Sequence, residues 1–485
     1  MDFTITLDSN AVLPLHRQLY EELRRAILSG RLLPRQQLPS TRSLAQSLGI
    51  SRSTVTQSYE QLLSEGYLET IVGCGTFVCT QLPDDLLHSP EIELTHKLTS
   101  PAIKLSKYAS WLAQPDVTLM PETQTPISFR YGRPNLDQFP LELWRKLLSR
   151  HCRAHSSWLD YSWDLLGYKP LREAIVRYLS RARAVQCEPD QVLITNGTQQ
   201  ALDLVTRLLI DPGDTIAMED PGYLSARRIF NSQGAKILPV AVDESGLVVN
   251  ELTSSSAESI QLVYVTPSHQ FPTGVTLSLP RRLELLAWAQ QSGALLIEDD
   301  YDSEYRYGDR PIPALQGLDS GNSVLYIGTF SKVLFPSLRI GYLVLPQNLV
   351  PLFSRAKWLS DRHLPVLEQQ VLTDFIESGH LERHIRKMRS YYDQCRNVLV
   401  EALKTYFGEQ VTILGDKAGI HVMVRLHTHL SDEEIIQRAA QVGVGLMSAQ
   451  PHYLKANRTG ELILGYAELN PQQIQAGIKQ LAQVL

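Results

Sequence analysis

From about residue 190 the chain alternates short apolar runs with amphipathic ones, and few folds accommodate that rhythm. The apolar runs cover residues 191–195, 215–219, 262–266, 294–298, 324–327 and 340–344, with helical stripes such as 199–209 and 281–291 between them. Short strands separated by helices pair side by side through crossovers, so the expectation is an α/β domain on a mainly parallel sheet. That domain leaves much of the chain unused: 485 residues exceed one ordinary domain. No run approaches a membrane span, and the N-terminus lacks a basic-then-apolar leader, so a cytoplasmic protein is expected.

Polar residues gather where these strands end. The run 324–327 turns at Gly328 and then presents Thr329, Ser331, Lys332 and, seven residues later, Arg339. Open α/β sheets bind ligands at that carboxyl edge. A lysine beside an arginine suits a Schiff-base cofactor with a phosphate handle. Ser331-Lys332 alone suits an ordinary solvated loop as well. Residues 195–200 (Thr-Asn-Gly-Thr-Gln-Gln) open a helix after a strand, so backbone N–H groups at 197–199 can hold a phosphate or simply start a capped helix. Glu298-Asp299-Asp300 ends another strand. These acids could hold a metal, but no histidine or cysteine stands at ligand spacing and no metal is expected. Asp299 can instead pair with a protonated ring nitrogen, with Tyr301 as a donor to a ring oxygen. Tyr223, after Pro221-Gly222, can stack on a flat cofactor or serve packing. The five cysteines (Cys74, Cys79, Cys152, Cys187 and Cys395) form no CxxC pair and are expected to be reduced.

The first eighty residues read differently. Leu15, Leu19, Leu23, Ile27 and Leu28 make a helical stripe ended by Gly30. Ser40 or Thr41 can cap a second helix that stops at Gly49, and Ser51 a third with Val55, Tyr59, Leu62 and Leu63 inward. Two short helices across a glycine turn make a helix-turn-helix, and residues 66–78 add a hairpin with its tip at Gly73–Gly75, a wing. Arg24, Arg25, Arg31, Arg35, Arg42 and Arg52 follow one another with no acid between them, a basic face suited to phosphates. Between residues 81 and 125 periodicity weakens and Pro, Ser and Thr accumulate, as in a tether; 104–113 can hold a short helix.

Residues 1–80 resemble the GntR-type winged helix. The resemblance implies Arg42 and Arg52 at the DNA, Ser53 and Thr54 at the start of the recognition helix, and Gly75 in the wing. Residues 126–485 resemble a fold-type I, aspartate-aminotransferase-like pyridoxal phosphate domain. Carried over, Lys332 holds pyridoxal 5'-phosphate (PLP) as the internal aldimine, and Asp299 pairs with the pyridine nitrogen. Tyr301 contacts the phenolic oxygen and Tyr223 stacks on the ring. Gly197, Thr198, Thr329 and Arg339 hold the phosphate, and Tyr161 reaches the phosphate of a partner subunit. The chain departs from that family twice. Where Asn-Pro-Thr-Gly is usual it has His269-Gln270-Phe271-Pro272-Thr273-Gly274, so His269 or Gln270 is the candidate partner of the ring oxygen. Where a substrate-carboxylate arginine is usual it has Ile463, with Arg425 and Arg130 as candidate substitutes.

The whole resembles the MocR/GabR type of bacterial regulator. This implies a head-to-tail homodimer that reads operator DNA and senses an amine, an amino acid or PLP itself. The alternative is a working aminotransferase with an accessory DNA-binding domain. Ile463 favours PLP itself as the signal.

Overall fold

The computed structural model describes residues 5–8, 11–84, 103–114, 125–154, 159–254, 259–308, 312–455 and 458–485. The chain divides into two compact units, Met1–Lys104 and Leu105–Leu485. Most of the tether expected over 81–125 (85–102 and 115–124) lies outside the described residues.

In the first unit, α1 (Leu15–Leu28), α2 (Thr41–Leu48) and α3 (Arg52–Ser64) pack with a sheet of β1 (Gln37–Leu38), β2 (Leu68–Ile71) and β3 (Gly75–Val78). The caps explain the boundaries. Ser40 Oγ accepts from the Ser43 N–H, Gly49 closes α2 in the left-handed region at φ 66°, and Ser51 Oγ accepts from the Thr54 N–H. Leu19, Leu23, Ile27, Val55, Tyr59, Leu62, Leu68 and Val78 form one core. Each fully buried aliphatic side chain there contributes roughly 1.5–3 kcal/mol.

The second unit begins with helix Lys107–Leu112, inside the expected 104–113, followed by β4 (Ile127–Ser128). Its large sheet contains β5 (Val192–Thr195), β6 (Thr215–Asp220), β7 (Lys236–Asp243), β8 (Gly246–Leu247), β9 (Ile260–Val265), β10 (Leu295–Asp300), β11 (Val324–Thr329) and β12 (Gly341–Val344). Among the described residues the order is β5-β12-β11-β10-β9-β6-β7-β8. The sheet is mixed: β12 runs antiparallel to both β11 and β5, and β8 antiparallel to β7. The short connection from β11 to β12 accounts for this, since a parallel neighbour needs a crossover of a dozen or more residues.

Side chains alternate between the two faces of this sheet. Leu325 and Ile327 join one apolar cluster with Ile297, Tyr264 and the helix Gly197–Leu209, while Tyr326 joins another with Tyr342 and Ile175. A smaller sheet of β13 (Val411–Leu414), β14 (His421–Leu426), β16 (Met447–Ser448) and β17 (Glu461–Gly465) packs with the helices His380–Phe407 and Pro471–Leu481. A short β15 (Val444–Gly445) pairs with β4.

Candidate functional site

Lys332 lies three residues past the end of β11. The Thr329 hydroxyl accepts from the Ser331 N–H at 3.1 Å and so tightens the turn that delivers it. Its Nζ donates to the Gly132 carbonyl at 2.5 Å. Gly132 sits at φ +86°, which favours glycine, and a Cβ there would crowd that amine at 3.1 Å.

A cavity of about 340 Å³ opens around the lysine, within the range of small-molecule sites. Its wall includes Thr198, Tyr223, Asp299, Tyr301, Thr329, Lys332 and Arg339.

Period two sorts the three acids that end β10. Asp299 follows Ile297 on the cavity side, where its Oδ2 accepts from Tyr264 at 2.7 Å. Its other oxygen, Oδ1, is buried and meets no protein donor. Glu298 and Asp300 turn to the opposite face. Glu298 accepts from the Leu315 and Gln316 N–H groups, and Asp300 from Arg183 and Tyr326. Only the middle acid serves the cavity. Burial pushes the Asp299 carboxyl up to about 7, with the Tyr264 bond and the Lys332 charge opposing and Asp300 and Asp302 assisting. Burial also pushes the Lys332 amine down; Asp302 and Asp299 oppose this, while Arg133 and Arg339 add to it.

Arg339 forms the anion end. Its Nη2 donates to the Asn196 carbonyl at 2.8 Å and its Nε to Asn196 Oδ1 at 3.2 Å, at the start of the helix Gly197–Leu209. That helix has no side-chain cap. Gly197 sits at φ +72°, with the guanidinium 2.9 Å from where a Cβ would be. The amine, the anion cradle and the acid with an unpartnered oxygen together fit PLP.

Other expected residues fall elsewhere. His269 is buried behind the wall and is not among the lining side chains. The Asp302 carboxylate holds its Nδ1 at 3.0 Å, and the Tyr301 hydroxyl donates to its carbonyl at 2.9 Å. It holds Tyr301 through that bond, while its own Nε2 is buried without a protein partner. Gln270 is buried and donates to the Pro221 and Phe271 carbonyls. His269, Asp302 and His421 bring ligand atoms within 4.8 Å of one another, but Nδ1 of His269 is already hydrogen-bonded. Tyr161 is exposed, packs on His363 and Arg362, and does not line this cavity. Ile463 lies on β17, fully buried with Phe271, Met423 and Ala449. Arg425 is bound by Glu461, and neither it nor Arg130 lines the cavity.

Among the wall residues that sequence reading missed are Tyr131, Arg133, Tyr264 and His421. Arg133 was legible only as part of a Gly-Arg-Pro turn following a short strand. His421 starts β14, with burial holding it neutral.

On the first unit, Arg42, Arg52 and Ser53 are exposed on α2 and at the start of α3, Thr54 is half-buried, and Gly75 lies in the exposed hairpin at φ +123°. The basic face is narrower than expected. Arg24 donates to Tyr67 and pairs with Asp84, and Arg25 pairs with Glu22. Arg31, Arg35, Arg42 and Arg52 remain exposed.

The family model described as aminotransferase class I and II matches residues 127–481, and that described as bacterial regulatory proteins, gntR family, matches residues 15–78. The probable rhizopine catabolism regulatory protein MocR of Rhizobium meliloti is 39% identical over 98% of this chain and 95% of its own. The HTH-type pyridoxine biosynthesis transcriptional regulator PdxR of Corynebacterium glutamicum is 34% identical over 83% of this chain and 82% of its own. Among solved structures, the α-aminoadipate aminotransferase LysN of Thermus thermophilus, complexed with N-(5'-phosphopyridoxyl)-L-leucine, has a TM-score of 0.69 and 29% identity. It covers 79% of this chain and 95% of its own.

Proposed function

Because this chain belongs to the MocR type of regulator, a GntR helix-turn-helix followed by an aminotransferase class I and II domain, we propose that what its PLP cavity holds sets its affinity for operator DNA. It is an HTH-type transcriptional regulator, and PLP is its cofactor. We assign DNA reading to residues 1–80, the tether to 81–125 and sensing to 126–485, in a cytoplasmic head-to-tail homodimer with Tyr161 reaching the partner's phosphate. Arg42, Arg52, Ser53, Thr54 and Gly75 are the proposed DNA contacts.

When bound, PLP supplies an aldehyde that condenses with amines and a ring that withdraws electrons. Lys332 presents its amine, and the lowered basicity leaves a larger neutral, nucleophilic fraction. Arg339 and the N–H groups of residues 197–199 bind the phosphate. Asp299 would pair with the ring nitrogen, Tyr301 would exchange its bond to the His269 carbonyl for one to the ring oxygen, and Tyr223 would pack on the ring face. The observation that carries this reading is the buried Oδ1 of Asp299 without a protein donor, on the wall that holds the Lys332 amine.

The signal is an amine or amino acid that enters the cavity beside Lys332. A second reading, PLP itself, is favoured by the burial of Ile463 where a carboxylate arginine is usual, and by the name of the pyridoxine biosynthesis regulator.

The test is operator affinity of cofactor-free protein, then with PLP, then with amines and amino acids. A coupling of about 1.4 kcal/mol changes affinity tenfold. The loaded protein should show a visible absorbance band that Lys332→Ala lacks. Affinity indifferent to every addition would sink the sensing role.

A further inference from the structure

Resting on the reading that a loaded cavity takes an amine, we infer that Arg133 anchors the effector's carboxylate, so that the effector is a monocarboxylic amino acid. Three cations line the cavity among the described residues: Lys332, Arg339 and Arg133. In the reading above, the first serves the cofactor's aldehyde and the second its phosphate. Arg133 follows Gly132, whose carbonyl holds the Lys332 amine. A group bonded to the same carbon as the reacting nitrogen therefore comes up beside this turn. Its charge reaches the amine, since Arg133 is one of the groups that make Lys332 less basic.

The ion pair between Arg133 and Glu468 is weak. Glu468 Oε1 lies 3.8 Å from Arg133 Nη1, too far for a hydrogen bond, and the two side chains are 29% and 45% exposed respectively. An exposed pair of this kind contributes little. A ligand carboxylate gripped by both prongs of the guanidinium inside a cavity gains more. Tyr131, Tyr223, Phe271 and His421 also line the cavity and bring no positive charge, the last held neutral by burial. A second carboxylate would find no further cation among the lining residues, so a diacid is excluded.

The test uses full-length, PLP-loaded protein with the common L-amino acids and the primary amines that lack only their carboxylates. The readouts are the shift of the visible band and operator affinity. In wild type, responding amino acids should half-saturate at lower concentration than their matching amines. Arg133→Gln should raise the amino-acid value at least tenfold and leave the amines where they were. Arg133→Lys, which keeps the charge but not the fork, should fall between and guards against a glutamine variant that does not fold. Equal loss for acids and amines, or no change in either, overturns the inference alone. A wild type that answers no amine or acid overturns both the inference and the sensing reading beneath it.

Discussion

The winged helix and the aminotransferase-like unit hold their charges in opposite ways. On the first, Arg31, Arg35, Arg42 and Arg52 stand in water. In the second, Glu219, Glu298 and Asp299 are under the surface and pushed up to about 7, chiefly by burial. A polyanion is met well by many exposed cations, each worth little and weakened by salt. A small conjugate offers few contacts, so each must act where the local dielectric makes one charge count. The same chain therefore carries a salt-sensitive reader and a site governed by protonation.

The largest effect that could break this contrast lies at Asp299. Asp299→Asn should weaken cofactor binding by about 3–5 kcal/mol, measured by titrating the visible band, because it removes one member of a buried charge pair. The same change should stabilise the cofactor-free protein. Its carboxyl stays protonated up to about pH 7 when folded, but ionises from its ordinary 3.8 when unfolded. Wild type should therefore lose stability relative to the variant as pH rises from about 4 to about 7, by of the order of 4 kcal/mol, and no further above that. A difference that ignores pH would show that Asp299 is not the buried acid described.

Next comes a core residue of the reader. Leu62 is fully buried in α3. Leu62→Ala should destabilise the first unit by about 2–5 kcal/mol, abolishing operator binding while the cofactor's visible band survives. Loss of both would show that the units do not fold separately. Arg52→Ala comes third. It should cost operator affinity about 1–3 kcal/mol with relaxed specificity if Arg52 meets a base, or lower the salt slope by about one if it meets phosphate. Smallest is Ser51→Ala, which removes the cap of α3 and should lower the melting free energy of the first unit by about 1 kcal/mol.

How much of this was legible follows from the distance over which each feature is decided. Ser40, Gly49 and Ser51 act on residues three or four away, so caps and turn could be read directly. Lys332 and Asp299 were legible because strand ends and period two are local rules. Arg24 looked like part of a basic face until Asp84, sixty residues on, was brought beside it. Arg133 and His421 reach the lysine from segments that no local rule connects to it. The antiparallel direction of β12 was not legible because an apolar run does not state its direction. The hold of Asp302 on His269 joins residues 33 apart in sequence, beyond the reach of any local rule.

The alternation of Glu298, Asp299 and Asp300 also bears on how β10 finds its place. Slipping this strand by one residue would turn Glu298 towards the aliphatic cluster around Ile327 and leave the Arg183 guanidinium without Asp300. Any such slip exchanges the two faces of a strand, and here it strands charges as well as misplacing leucines. Misaligned chains would thus be rejected during assembly by groups that never touch a ligand. Glu298 and Asp300 act as proofreaders for the acid between them.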